Sequence, residues 1–234
     1  IINPVPGMEY NCYPPAKIFK ERNKLSLELD KSLVPYVAEQ YVEHPYHWNP
    51  RHQNTLLATR TVRVAIIRDE GSNSHREMAA AFMQFSNTTC YDFTINELLD
   101  SPQKQTVLLK CQGVVFVGGF SYGDILGSGR ATALIMKTRL SHVFTPLFND
   151  PAKFVLGVCN GFQILCESGL LPGALLQNAN QQFICKNVFI KTKEGGPLQV
   201  PIAHGEGRYY ADTATLDQLE NNNQVLFRYC DDNG

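Results

Sequence analysis

The chain has 234 residues, of which 44% are hydrophobic and 18% are charged, and this composition excludes an intrinsically disordered protein. Its 21 Lys and Arg residues nearly balance its 22 Asp and Glu residues, for a net charge of −1, so the basic surface typical of nucleic-acid-binding proteins is not expected. No stretch approaches the ~20 consecutive apolar residues of a transmembrane helix. We therefore predict a globular protein with neither nucleic acid nor a membrane among its partners.

The seven cysteines are irregularly spaced, and none belongs to a C-x2-C pair of the kind found in zinc sites and redox dithiols. Several lie within apolar runs, where a free cysteine behaves as a small hydrophobic residue. This pattern predicts reduced thiols in a cytoplasmic protein. The chain begins at Ile1 and ends in the turn-like sequence 231–234, and we expect both ends to continue in a longer polypeptide.

Residues 1–60 differ in composition from the rest, because they hold seven of the thirteen prolines but only one of the seventeen glycines. Together with several aromatic residues, this favours an extended linker that joins or packs against a larger body, with one short helix over 32–41. His44, His47 and His52 lie close together, but no cysteine stands near them at ligand spacing. We therefore predict no metal site.

From residue 61 onward, short apolar strands alternate with helical segments. Ser74 and Glu77 have the spacing of a capping box, which predicts a helix beginning near Ser74, and Asn96 is predicted to cap a second short helix. Strands that alternate with helices form right-handed βαβ units, so we predict an α/β fold with an open, mostly parallel sheet flanked by helices. The predicted strands are 62–67, 91–95, 113–117 and 154–158, and further helices are predicted at 130–140 and 161–167.

After residue 182 the pattern becomes strand-rich, with predicted strands at 183–190, 198–202 and 225–230. We therefore assign residues 61–234 to one domain whose C-terminal part is rich in strands. The linker of residues 1–60 precedes this domain.

Residues 157–161 have the sequence Gly-Val-Cys-Asn-Gly, the G-x-C-x-G pattern of a nucleophile elbow. The nucleophile of such an elbow occupies a sharp turn between a strand and a helix, and the flanking glycines let neighbouring chains approach without Cβ clashes. The positive end of the following helix favours the thiolate form of Cys159. The N–H of Asn160 is then placed to bind an oxyanion on a substrate carbonyl. A buried core cysteine between chance glycines is the alternative, and the strand before it and the helix after it disfavour that alternative.

A glycine-rich loop follows the third predicted strand, with the sequence Gly-Gly-Phe-Ser-Tyr-Gly-Asp at 118–124. In a parallel sheet this loop lies at the same edge as the elbow, so the N–H of Gly119 or Phe120 is a candidate second donor to the oxyanion. The glycine spacing does not match either common phosphate-binding loop.

His204 and Glu206 form an H-x-E pair in the sequence His-Gly-Glu-Gly-Arg at 204–208. A cysteine nucleophile needs a base, and the base needs an orienting carboxylate, so the pair is one candidate for these roles. The two glycines, Gly205 and Gly207, favour a loop instead, whose polar groups contact a ligand or another domain.

The motifs at 118–124, 155–163 and 201–208, in this order, resemble those of class I (triad-type) glutamine amidotransferases. They are most similar to the glutaminase domain of phosphoribosylformylglycinamidine synthases. Residues 68–75 and the helix at 78–82 resemble the start of that domain in the long, single-chain form. The resemblance extends from about residue 62 to residue 234, and it implies a flavodoxin-like sheet.

The resemblance implies that Cys159 attacks the side-chain amide of L-glutamine and releases ammonia from a γ-glutamyl thioester. It implies that Gln163 contacts the substrate, and that His204 and Gly205 bind glutamine or contact a synthetase domain. The ammonia then serves the ATP-dependent conversion of formylglycinamide ribonucleotide to formylglycinamidine ribonucleotide in purine biosynthesis. No cofactor is implied for this chain, since ATP and Mg²⁺ belong to the synthetase portion, on the same or a partner chain.

The sequence departs from the family in one respect, because the catalytic base of the family lies in a His-Pro-Glu run that is not found here. We expect that His and Glu beyond Gly234. A non-catalytic amidotransferase-like partner domain without its triad base is the main alternative. A hydrolase or chaperone-like protein with a cysteine elbow is a further one, although Lys153 to Leu156 lack the acidic residue such proteins usually carry before the elbow.

Overall fold

The computed structural model describes residues 61–85 and 87–234. The linker predicted for residues 1–60, the helix predicted over 32–41 and the three neighbouring histidines lie outside the described residues.

Four parallel strands form the main sheet in the order β2-β1-β3-β4, which confirms the predicted fold class. The two central strands are the most apolar, and all four residues of β3 are buried. A strand covered on both faces has no polar face, which is why these segments appear in the sequence as continuous apolar runs. The strands are β1 (Val62–Arg68), β2 (Thr88–Thr94), β3 (Gly113–Phe116) and β4 (Phe154–Gly157).

Helices cover both faces of this sheet. Ala65, Ile67, Val114 and Phe116 point to one face, where α2 to α6 pack on them, while Val64 and its alternate neighbours point to the other face, where α1 packs. The helices are α1 (His75–Phe82), α2 (Ile95–Asp100), α3 (Pro102–Leu109), α4 (Arg130–Thr138), α5 (Ser141–Asn149), α6 (Asn160–Glu167) and α7 (Thr213–Asn221).

Helix α1 begins directly after Ser74, as predicted, but the predicted capping box is absent there, and the predicted cap of α2 is at the wrong residue. Ser74 precedes α1 but makes no capping hydrogen bond, because its backbone is left-handed (φ 58°) and its Oγ donates to the carbonyl oxygen of Asn73. Helix α2 is capped by Thr94 rather than Asn96: the Thr94 side chain accepts from the N–H of Glu97, whose carboxylate accepts from the N–H of Thr94. The cap of α2 therefore lies two residues before the predicted one and forms a capping box.

The C-terminal part contains two small antiparallel sheets, which confirms its strand-rich character. Strand β5 (Ala174–Leu176) pairs with β8 (Arg208–Tyr210). Strand β6 (Ile184–Lys191) lies between β7 (Leu198–His204) and β9 (Arg228–Cys230). Within the described ranges, we find no helix with both the length and the apolar character needed to cross a membrane.

Candidate active site

The G-x-C-x-G motif forms the turn between β4 and α6. Cys159 is the residue before the first helical residue, and its φ of 56° and ψ of −116° are strained for a residue other than glycine. Its side chain is exposed at the carboxyl edge of the parallel sheet. A strained backbone persists only where the surrounding structure imposes it, and residues in such a conformation cluster at active sites.

The two glycines of the motif are needed for close packing around this turn. A Cβ at Gly157 would lie 2.5 Å from the carbonyl oxygen of Gly161, and a Cβ at Gly161 would overlap the carbonyl oxygen of Phe116 at the end of β3. Because both obstacles are backbone atoms, they cannot rotate away. The first turn of α6 is therefore pressed against the end of the neighbouring strand, and this contact fixes the position of Cys159.

The thiols differ sharply in their surroundings. Cys90, Cys111 and Cys166 are buried, and burial raises the pKa of each to about 11. Cys159 and Cys185 are exposed, and Cys230 is half-buried. Of the exposed pair, only Cys159 stands at the N-terminus of a helix, where the helix dipole favours an anion.

Of the three N–H groups predicted to bind an oxyanion, two lack an acceptor within the described part of the chain. The N–H of Asn160 is the first of α6 and has no intrahelical acceptor. The N–H of Phe120 donates to the carbonyl oxygen of Gly71 at 3.0 Å, whereas no described residue accepts from the N–H of Gly119. The geometry therefore favours Gly119 over Phe120 as the second donor, and this role stays a prediction.

A chain of side-chain hydrogen bonds connects the elbow to the loop at 204–208. The buried Asn160 accepts from the N–H of Ser121 and donates to the Gln163 side-chain oxygen at 2.9 Å. Gln163 in turn donates to the carbonyl oxygen of Glu206 at 2.7 Å. Gln163 thus links α6 to the loop, while its predicted contact with the substrate stays a prediction.

His204 and Glu206 do not pair with each other. Nδ1 of His204 lies 2.9 Å from Oδ1 of Asn178, which also accepts from the N–H of Gly207. Since Oδ1 is an acceptor, His204 carries its proton on Nδ1. The Glu206 carboxylate accepts from the N–H of Ser128 before α4. The two side chains therefore support the loop, and neither of them orients the other as in a catalytic dyad.

No described residue makes a hydrogen bond to the thiol of Cys159, the candidate nucleophile. The Nε2 nitrogen of His204 is buried and has no partner among the described residues. The site consists of the exposed Cys159 as candidate nucleophile, two free N–H donors and a buried polar network that joins three loops. This arrangement suits attack on a carbonyl carbon with the oxygen stabilised by backbone donors.

A known protein family matches most of this chain. The CobB/CobQ-like glutamine amidotransferase domain matches residues 61–234. The chain belongs to this family of amidotransferases.

Individual relatives of this amidotransferase chain carry a more specific name. The chain is 41% identical over 176 residues to the phosphoribosylformylglycinamidine synthase subunit PurQ of Aquifex aeolicus, and the match covers 67% of this chain and 76% of that protein. The match to the subunit of the same name from Acaryochloris marina is 46% identical over 134 residues, but it covers only 52% of this chain and 54% of that protein. A solved structure described as PurLQS from Thermotoga maritima matches with a TM-score of 0.54 at 28% identity, covering 74% of this chain and 77% of that one.

Sequence reasoning missed Asp69, a buried carboxylic acid that links the end of β1 to α4. It follows β1 and is only 5% exposed. Its Oδ2 accepts from the hydroxyl of Thr132 in α4, and its Oδ1 has no partner among the described residues. Burial raises its pKa to about 6. The motif Arg-Asp-Glu gave no sign of this burial, because Thr132 is distant in sequence.

We expect Asp69→Asn to stabilise the domain most at neutral and alkaline pH. A carboxyl whose pKa rises from 3.8 unfolded to about 6 folded favours the native state when protonated, and this contribution is lost as the pH rises from about 4 to about 6. Relative to wild type, the free energy of unfolding of Asp69→Asn should therefore rise over this range by up to about 3 kcal/mol. Denaturant titrations between pH 4 and 8 measure it. Asp217→Asn, at an exposed position of α7, is the control, and a difference independent of pH would contradict the prediction.

Proposed function

We propose that this domain is the glutaminase of a phosphoribosylformylglycinamidine synthase. In this proposal it hydrolyses glutamine and supplies the ammonia that converts formylglycinamide ribonucleotide to formylglycinamidine ribonucleotide in de novo purine biosynthesis. The observation that carries the proposal is the strained, exposed Cys159 at the elbow beside two free N–H donors. The family match over residues 61–234 and the relatives named PurQ support the substrate and the pathway.

The reaction begins when the Cys159 thiolate attacks the side-chain amide carbon of glutamine. The carbonyl oxygen becomes an oxyanion that accepts from the N–H groups of Asn160 and Gly119. The C–N bond then breaks, the nitrogen takes up a proton and leaves as ammonia, and a γ-glutamyl thioester remains. Water hydrolyses the thioester to glutamate and the free thiol. ATP and Mg²⁺ act at the synthetase portion and are not needed for these steps.

Proton transfer needs a base, and no described residue, His204 included, makes a hydrogen bond to the Cys159 thiol. In line with the family resemblance, we assign the base to the His of a His-Pro-Glu run outside residues 61–234. A domain that lacks this base is the second candidate, a non-catalytic amidotransferase-like partner. The absence of a hydrogen bond to the Cys159 thiol from any described residue is the observation that favours it.

The ammonia is delivered to a synthetase portion that is a direct partner of this domain. The likeness of residues 68–82 to the long, single-chain form supports a synthetase portion on the same polypeptide. The relatives, by contrast, are named as a subunit, and the similarity of this chain to the solved structure described as PurLQS supports a synthetase on a partner chain. Both arrangements bring the same ammonia to the same acceptor.

The experiment that tests the proposal follows the transferred nitrogen. The complete enzyme is supplied with formylglycinamide ribonucleotide, MgATP and glutamine labelled with ¹⁵N in its side-chain amide. We expect the amidine product to carry ¹⁵N and glutamate to form in equal amount. Product that forms only from added ammonium, with no glutamate released, would establish the non-catalytic alternative instead.

We expect His204→Ala to weaken glutamine binding rather than abolish catalysis. The ring packs on Gly207 and holds Asn178, which orders the loop that accepts the hydrogen bond from Gln163. Its loss should raise KM for glutamine while kcat changes by less than about 10-fold, well short of the 10²–10⁴ lost with a general base. His142→Ala, at an exposed position of α5, is the control. A loss of kcat in the general-base range would identify His204 as the base.

A further inference from the structure

Ser74 stands in a backbone conformation that its own helix does not explain. Its φ of 58° and ψ of 14° are left-handed, and it occupies the cap position of α1 without capping the helix. Its Oγ instead donates to the carbonyl oxygen of Asn73 at 2.7 Å, while the Asn73 N–H donates to the carbonyl oxygen of Gly118. The structure therefore holds Ser74 in a strained position against the loop that follows β3.

That position lies beside the nucleophile. A Cβ built on Gly118 would be 3.3 Å from Cβ of Cys159 and 3.4 Å from Oγ of Ser74. Both distances are measured from the same point, so Oγ of Ser74 and Cβ of Cys159 lie no farther apart than the sum of the two distances. The two side chains flank one glycine, and any side chain at Gly118 would fill the gap between them.

The strain is concentrated at this edge of the sheet. Within the described residues, six residues other than glycine have a positive φ, and four of them lie in the loops after β1, β3 and β4: Ser74, Tyr122, Asp124 and Cys159. Strained residues persist where surrounding contacts impose them, and they cluster at ligand-binding and catalytic sites. Ser74 thus shares both the location and the backbone strain of the nucleophile.

We propose that Ser74 positions the substrate, with its hydroxyl oxygen accepting a hydrogen bond from the side-chain amide nitrogen of bound glutamine; this rests on the glutaminase function proposed above. The Ser74 O–H already donates to Asn73, so the capacity left on Oγ is that of an acceptor. The amide oxygen of glutamine is bound by the N–H groups of Asn160 and Gly119. The amide nitrogen, attached to the carbon that Cys159 attacks, is the donor that remains close to the nucleophile.

This contact orients the amide for attack, and the same hydroxyl oxygen then accepts a hydrogen bond from the departing ammonia. An acceptor on the nitrogen fixes the rotation of the amide plane about the side chain of glutamine. After the C–N bond breaks, ammonia still carries N–H groups that donate to Oγ. The hydroxyl therefore acts on amide substrates and has no donor to bind in an ester.

The test compares two substrates in the complete enzyme carrying Ser74→Gly. Glycine adopts positive φ readily, so this variant removes the hydroxyl and relieves the strain. We expect kcat/KM for glutamine to fall about 10- to 100-fold, the range for one lost hydrogen bond to a buried group, while kcat/KM for glutamate γ-methyl ester changes by less than about 3-fold. Synthesis driven by added ammonium and the rate of Cys159 alkylation by iodoacetamide should stay unchanged.

Asn223→Gly is the matched control, because Asn223 is exposed, has a φ of 54° and precedes β9, so glycine there relieves similar strain away from the elbow. It should leave both substrates unaffected. If the wild type hydrolyses glutamine but Ser74→Gly retains full activity, or loses amide and ester hydrolysis equally, the assignment of Ser74 is overturned. A wild-type enzyme that fails to hydrolyse glutamine overturns the proposed function itself.

Discussion

Replacing Cys159 with alanine is expected to abolish glutamine-dependent synthesis and leave ammonium-dependent synthesis intact. The thiolate forms the only covalent bond between enzyme and substrate in the proposed glutaminase reaction, and removing such a nucleophile typically costs about 10⁴-fold or more in kcat. The synthetase reaction uses ammonia from any source, so added ammonium bypasses the loss. Initial rates with each nitrogen donor in the complete enzyme measure both effects.

The control for this variant is Cys185→Ala, which removes the other exposed cysteine of the described residues, on β6 away from the elbow. It should retain both activities. Limiting iodoacetamide followed by peptide mapping gives an independent readout: Cys159 should be labelled first, because burial protects Cys90, Cys111 and Cys166. Loss of ammonium-dependent synthesis in Cys159→Ala, or faster labelling of Cys185, would count against the elbow as the reactive centre.

The second large effect is expected from Gly161→Ala. The new methyl group would overlap the carbonyl oxygen of Phe116, so α6 would have to move away from the end of β3. Overpacking against backbone that cannot repack is expected to cost about 3 kcal/mol or more of the free energy of unfolding. The same displacement moves Cys159 and the Asn160 N–H, so glutaminase activity should fall even at temperatures where the variant remains folded.

Gly196→Ala provides the comparison, because a Cβ at Gly196, between β6 and β7, would meet no atom within 4 Å. It should change the free energy of unfolding by less than about 0.5 kcal/mol. Denaturant titrations and glutaminase assays on both variants separate the two cases. Equal stability of Gly161→Ala and Gly196→Ala would show that the close contact between α6 and β3 is not needed.

The features that sequence analysis predicted correctly are those encoded by neighbouring residues. The elbow is one, because its glycines, its apolar strand and its helix are contiguous in the chain. The parallel sheet is another, since residues 64–67 of β1 and all of β3 are unbroken apolar runs. Helix α5 was missed because Pro146 inside it resembles a helix break. Helix α3 could have been found, since Pro102 at its first position after Ser101 is a common helix start.

The details of the site depend on contacts between distant segments, which no local pattern encodes. The Phe120 N–H is not free to bind an oxyanion, because the loop after β1 runs beside the loop after β3 and its Gly71 carbonyl oxygen accepts from this N–H. Asp69 is buried because α4 places Thr132 over it. The same two loops are joined next to Ser74, where the Asn73 N–H donates to the Gly118 carbonyl oxygen. The left-handed Ser74 makes no capping hydrogen bond, although the sequence alone favours a capping box there.

Strand β4 also bears on how this domain behaves at high concentration. Among the described residues it pairs only with β3, so its other edge presents unpaired N–H and C=O groups. Phe154 and Leu156 on this strand, and Val158 just after it, are 42%, 38% and 43% exposed. An apolar edge strand of this kind is a template for intermolecular β-pairing. A preparation of residues 61–234 alone is therefore expected to self-associate and precipitate through this edge, within a few residues of Cys159.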